Sequence, residues 1–174
     1  MLQSSRAATS LGLLAGYCLL IAACTSMRGN STGNSPFVQA ASAVEAGRYL
    51  VIVGSCNDCH THNYMAEYET MPEEQWLAGS DLGFLGPWGV TYPPNLRLRA
   101  QEWTEDIWVA TLRNRKERLP MPWMNVNQMS EADSRAIYQY IRSLGPYGEH
   151  APAAVLPDQP ITTQYVSIFP IEPE

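Results

Sequence analysis

The sequence predicts a small all-α domain of three to five helices, followed by an extended C-terminal tail. Three observations carry that expectation. Ser130 precedes Glu131 and Asp133, and Ala136, Ile137, Tyr140, Ile141 and Leu144 follow at helical spacing until Gly145-Pro146 ends the run. Thr104 heads a second such segment reaching about Arg115, with Glu105 and Asp106 at its positive end. Between these and an earlier helix lies Cys56-Asn57-Asp58-Cys59-His60, which reads C-x-x-C-H, the spacing that attaches a c-type haem. The helices therefore have one covalently bound haem c (heme c) to close around.

The chemistry explains the spacing. Two thiols this close together can each bond one vinyl group of a porphyrin. The histidine directly after the second thiol is then held where it can ligate the iron. The motif occurs once, so one haem is expected, with His60 as its first metal ligand. The chain has 174 residues, with 11 Lys+Arg against 17 Asp+Glu. That acidic balance argues against a nucleic-acid partner, because a phosphate backbone calls for a basic surface. Of four cysteines, Cys56 and Cys59 form the motif, and Cys18 and Cys24 lie in the apolar N-terminal stretch. None is left for a structural disulfide in the domain.

Residues 1–23 read as a signal peptide. Arg6 precedes an apolar run, Leu11 to Ala23, which is short for a membrane span. Leu20-Ile21-Ala22-Ala23-Cys24 resembles a bacterial lipobox, making Cys24 the lipidated residue of a membrane-anchored periplasmic lipoprotein, the outer membrane being favoured by Thr25. Simple cleavage with an incidental Cys24, or an uncleaved anchor helix, are the alternatives. Residues 24–42 read as a flexible tether, 43–149 as the domain and 150–174 as a Pro-rich tail. Covalent haem attachment is completed outside the bacterial cytoplasm, so export signal and motif support each other.

Along the domain, residues 43–54 read as a helix. Its Leu50, Val51 and Val53 are apolar, and Gly47 allows another backbone to approach. Residues 72–78 read as a short helix begun by Pro72. The glycines and prolines of 79–94 predict a long loop. Its aromatic residues, Trp88 and Tyr92, make it a wall of the cofactor site rather than a disordered segment. Trp103 and Trp108 suit a hydrophobic staple around the Thr104 cap. The tail holds Val155, Leu156, Ile161, Tyr165, Val166, Ile168 and Phe169, too apolar for pure disorder. It is expected to lie extended across the domain.

A second axial ligand is expected to be a methionine, whose thioether favours ferrous iron. Met65 and Met71 lie too near His60 in sequence, and Met129 adjoins a helix cap. Met121 is chosen, with Met124 in reserve, because Pro120 and Pro122 stiffen its loop. His62 reads as a solvated loop histidine. His150 reaches the iron only if the tail folds back.

These motifs resemble class I cytochromes c, most closely the haem c subunits of bacterial periplasmic dehydrogenases for alcohols, aldehydes and sugar acids. The resemblance covers about residues 46–144. It rests on Gly47-Arg48-Tyr49-Leu50, the haem motif with Thr61, Leu77-Ala78-Gly79, Gly89 to Leu96, Met121-Pro122-Trp123 and Ala136 to Ile141. It implies a small class I cytochrome c fold in which the first and last helices cross, Gly47 and Val51 meeting Ile137 and Tyr140. It implies Met121 as sixth ligand and Asn95 as a residue approaching a haem propionate. Leu96-Arg97-Leu98-Arg99 departs from the pattern, and Arg97 or Arg99 is a candidate propionate partner.

The expected function is one-electron transfer by a membrane-tethered periplasmic monohaem cytochrome. No catalytic residues are expected. Its partners would be a dehydrogenase, an oxidase or another cytochrome. The alternatives are a haem enzyme or a gas or peroxide sensor with a displaceable Met121, a dithiol oxidoreductase using Cys56 and Cys59, and a zinc site.

Overall fold

The computed structural model describes residues 38–117 and 120–170. The signal peptide, Cys24 and most of the tether lie outside the described residues. Helix α1 spans Ala43–Val53, α2 Cys56–His60 and α3 Tyr64–Glu67, followed by a 3-10 turn at Glu73–Gln75. Strands β1 (Gly83–Gly86) and β2 (Gly89–Thr91) precede α4 (Leu96–Glu102), α5 (Glu105–Asn114), α6 (Trp123–Val126) and α7 (Glu131–Ser143), and β3 (Tyr165–Ser167) lies in the tail.

The all-α expectation is therefore corrected. The described residues form seven α-helical segments, not three to five, and a three-stranded mixed sheet in the order β2-β1-β3. β1 pairs antiparallel with β2, with Gly86 opposite Gly89 across the two-residue loop Pro87-Trp88. β1 also pairs in parallel with β3. Strands of three or four residues, two of them glycine-rich, are too short to show an alternating pattern. The sheet is completed by residues over seventy positions downstream, a pairing that local pattern cannot reveal. Residues 79–94 are thus part hairpin, and the expected 72–78 helix is only the 3-10 turn.

Gly89 makes the tail's attachment possible. Its φ is +93°, and a Cβ there would lie 2.0 Å from the Val155 carbonyl oxygen. Only glycine allows that approach. Just beside it, Val90 N donates to Val155 O at 2.8 Å, and Val155 N donates back to Val90 O at 2.9 Å. The Tyr92 hydroxyl is 2.5 Å from Thr163 Oγ1.

The main helices form where their caps and apolar faces predict. Thr104 accepts from Ile107 N and Ser130 from Asp133 N, each such cap stabilising its helix by about 1 kcal/mol. Helices α1 and α7 cross at Gly47, where a Cβ would meet Ala136 O at 2.0 Å and Tyr140 Cβ at 2.7 Å. The buried core joins Val51 of α1, Trp76, Leu77, Ala100, Trp108, Val109 and Ile137, Tyr140 and Ile141 of α7. Leu77, Val90 and Ile141 are completely excluded from solvent.

Candidate functional site

Helix α2 is short because the chain must turn sharply into and out of the motif. Ser55 holds the left-handed conformation at φ 54°, which breaks α1 from α2. The motif's exit is pinned by Thr61. Its hydroxyl donates to Asn57 Oδ1 at 2.7 Å and accepts from Leu77 N at 2.8 Å. Gly79 N donates to His60 O at 2.7 Å.

His60 is 93% removed from solvent (7% exposed), and its Nδ1 lies 2.9 Å from the Pro94 carbonyl oxygen. With Nδ1–H donating to that carbonyl, Nε2 is the lone-pair nitrogen. Burial holds the imidazole's pKa below its ordinary value, only partly offset by the Pro94 bond. A neutral, oriented imidazole is what metal ligation requires.

Cys56, Cys59, His60 and Met121 all line one cavity of about 1060 Å³. That volume suits a large flat ligand, being at the upper end of small-molecule sites, roughly 300–1,000 Å³. Val51, Leu96, Trp108, Leu112 and Ile137 give it apolar walls. The residues present fit a haem: two thiols, one oriented imidazole and two thioethers, Met121 and Met129, line a single apolar space. Trp108 also lines the cavity, and its Nε1 is buried without a hydrogen-bond partner.

The thiols are not built for redox nucleophilicity. Burial first, then the Asp58 carboxylate, pushes Cys56 up to about 11, and the same causes raise Cys59. Reactive dithiols need the opposite shift. Nor do the described residues assemble three or more His, Cys, Asp or Glu side chains around a possible metal position.

The structure sorts the other expected residues. Met121 lines the cavity, whereas Met124 is 70% exposed and does not. Met129 also lines it while packing on the core, so it joins Met121 as a sulfur at the site. Tyr92 lines the cavity; Trp88 does not, and packs edge-on against Phe169 at 5.7 Å.

Asn95 sits on the wall, but its amide is already engaged. Oδ1 caps α4 by accepting from Leu98 N, and Nδ2 donates to Tyr147 O and Glu149 O at 2.8 and 3.1 Å. It holds the start of the tail in place instead of reaching for a ligand. Arg97 is 4% exposed and lies off the cavity. It donates to Gly145 O at 2.6 Å and to the carbonyls of Glu74 and Leu144, satisfying the last turn of α7. Burial lowers its pKa. Arg99, one turn in from the Asn95 cap, is the arginine of that segment on the wall.

Sequence reasoning missed Trp108 as a wall residue. Its spacing with Thr111, Leu112 and Arg115 along α5 was the available signal, since all four line the cavity. The larger omission is the tail. Residues 150–154, including His150, form part of the wall. His62 stays outside, on the surface, its Nδ1 2.8 Å from Asp81.

No family model matches this chain, and no curated protein matches it.

Proposed function

We propose that this chain is a monohaem c-type cytochrome that transfers single electrons. It resembles the haem c subunits of periplasmic dehydrogenases, and Cys24 would anchor it to the periplasmic side of a bacterial membrane. The observation that carries the reading is convergence. Cys56, Cys59, His60 with Nδ1 tied to Pro94, and Met121 share the wall of one apolar cavity.

A haem bound there would supply a one-electron couple at its iron. The chain's residues would do the rest. Cys56 and Cys59 would hold the ring covalently. His60 would offer Nε2, kept neutral by burial and oriented by Pro94. Met121 would offer a thioether, which favours the reduced state and raises the potential. The apolar walls would exclude water from the couple. Partners would be redox proteins, a dehydrogenase, an oxidase or another cytochrome, and contacts of that kind are small. Among the described residues no helix is long and apolar enough to cross a membrane, so attachment would rest on the N-terminal segment.

The test is spectroscopic. The chain expressed with its export signal and haem-attachment machinery should show a reducible, low-spin spectrum that does not change with carbon monoxide. Ready carbon monoxide binding would instead favour a haem enzyme or sensor with a displaceable Met121.

A further inference from the structure

The two edges of the sheet differ. The outer edge of β2 is taken by the tail, through the paired bonds between Val90 and Val155. The outer edge of β3 is open. The strand order β2-β1-β3 puts it last, and all three of its residues are exposed. The segment bonds to β1 through Gly83 N to Gln164 O and Ile168 N to Leu85 O. Successive residues of a strand turn their backbone groups to opposite edges, so Tyr165 and Ser167 direct N–H and C=O outward. Among the described residues no backbone group pairs with them.

Open edges invite strand addition, and proteins usually guard them with charged side chains or a proline in the strand. Strand β3 has neither. Residues 159–171 contain no Asp, Glu, Lys or Arg, and neither do residues 82–96, which supply β1 and β2. Tyr165 and Val166 in the strand, and Phe169 just beyond it, are apolar and exposed. The strands are thus uncharged in a chain of net charge -6. A basic partner would be drawn to the acidic remainder of the surface instead. For a second, equally acidic copy, the sheet is where contact sets no like charges side by side.

We propose that β3 is a self-association edge, pairing antiparallel with β3 of a second copy of this chain about a two-fold axis at Val166. Tyr165 of each copy then stands opposite Ser167 of the other, and each such pair exchanges both N–H···O=C bonds. Val166 stands opposite Val166 of the other copy in the pair without hydrogen bonds, where side chains approach most closely. The same patch serves both copies, as a two-fold contact requires. The two three-stranded sheets become one continuous sheet. Pairing over so short a strand makes a small contact, and contacts under about 1,200 Å² are transient. The dimer is therefore reversible and concentration-dependent. It does not depend on the haem reading above.

The experiment is analytical ultracentrifugation of the exported chain from micromolar to millimolar concentration, with Cys24→Ser throughout so that no lipid drives association. The chain should pass from monomer to dimer as concentration rises. Ser167→Pro removes an outward N–H and none of the bonds to β1, so it should stay monomeric with an unchanged melting temperature. Val166→Lys and Val166→Glu should each stay monomeric, because like charges would meet across the axis. An equimolar mixture of those two variants should dimerise again, a recovery that unfolded protein cannot give. A chain that is monomeric at every concentration overturns the proposal, including one whose edge takes up an extended foreign segment instead. So does a dimer that survives all three substitutions, which lies on another face. A mixture that stays monomeric overturns the two-fold axis at Val166, and the proposal with it.

Discussion

His60 Nδ1 lies 2.9 Å from the carbonyl oxygen of Pro94, thirty-four residues away, and this single contact sets which ring nitrogen is free. Because the acceptor is a backbone carbonyl, no side-chain change at position 94 removes it directly. The contact joins the motif to the segment that leads into α4, so one wall of the cavity orients the ligand on another.

Three exposed or half-buried methionines separate ligand from packing. Met121→Ala should lower the reduction potential and open the ferrous iron to carbon monoxide. Met124→Ala should do neither, since that side chain is 70% exposed. Met129→Ala should cost about 1–2 kcal/mol of stability by leaving a cavity against the core, with the potential little changed. Redox titration and chemical denaturation of the three variants check this. A Met129 variant that binds carbon monoxide would move the ligand.

The thiols report on the cavity before any haem is bound. In haem-free protein, Cys56 should be alkylated by iodoacetamide more slowly at pH 8 than free cysteine. Its rate should keep rising towards pH 11, since burial and Asp58 push its thiol up to about 11. Rates against pH, read by mass spectrometry, test this. Fast alkylation at neutral pH would favour a dithiol redox role.

Arg48 and Tyr140 both hold Glu73, at 2.9 and 2.6 Å. The Arg48 bond first, with help from Tyr140, holds the Glu73 carboxyl below its ordinary value. A depressed carboxyl stabilises the fold above the unfolded-state value, about 4.3, and loses that contribution as pH falls through the folded one. Glu73→Gln should therefore destabilise by about 1 kcal/mol at pH 7, with a smaller difference at pH 3, below the unfolded-state value. Urea denaturation at the two pH values measures it. An equal loss at both would remove the ion pair from the account.

Much of this architecture was legible. Thr104 and Ser130 are local signals, acting on amides three residues away, so α5 and α7 were readable from short windows. Gly47 signalled only a close backbone approach, and its crossing with the last helix came from the family resemblance. The sheet was not readable, because Gly83 to Thr91 has no alternation long enough to score and its partner strand lies in the tail. Asn95 was read as a ligand group because the α4 helix behind it was not foreseen. Leu96, Ala100 and Trp103, one helical face, were the missed signal. Arg97 gave no clue of its burial, since its acceptors are carbonyls near positions 74 and 145. The motif and Met121 were picked out because each is a contiguous pattern, and both lie on the cavity wall, whereas the Arg99–Glu102–His150 contacts exist only once the tail has folded back.

Gly89 decides whether that tail stays in place. Gly89→Ala would put a Cβ against Val155 O in a backbone conformation that side chains rarely adopt. The variant should lose about 1–3 kcal/mol and expose residues 150–170 to protease. Limited proteolysis with mass mapping checks it. A tail as resistant as wild type would mean the Val90–Val155 pairing does not hold it.

The most direct measurement is denaturing electrophoresis of the exported protein, stained for haem and followed by intact mass. The account predicts a haem-positive band heavier by one haem than the colourless variant in which Cys56 and Cys59 are both changed to Ser. A colourless polypeptide of unmodified mass, expressed alongside competent haem-attachment machinery, would contradict it.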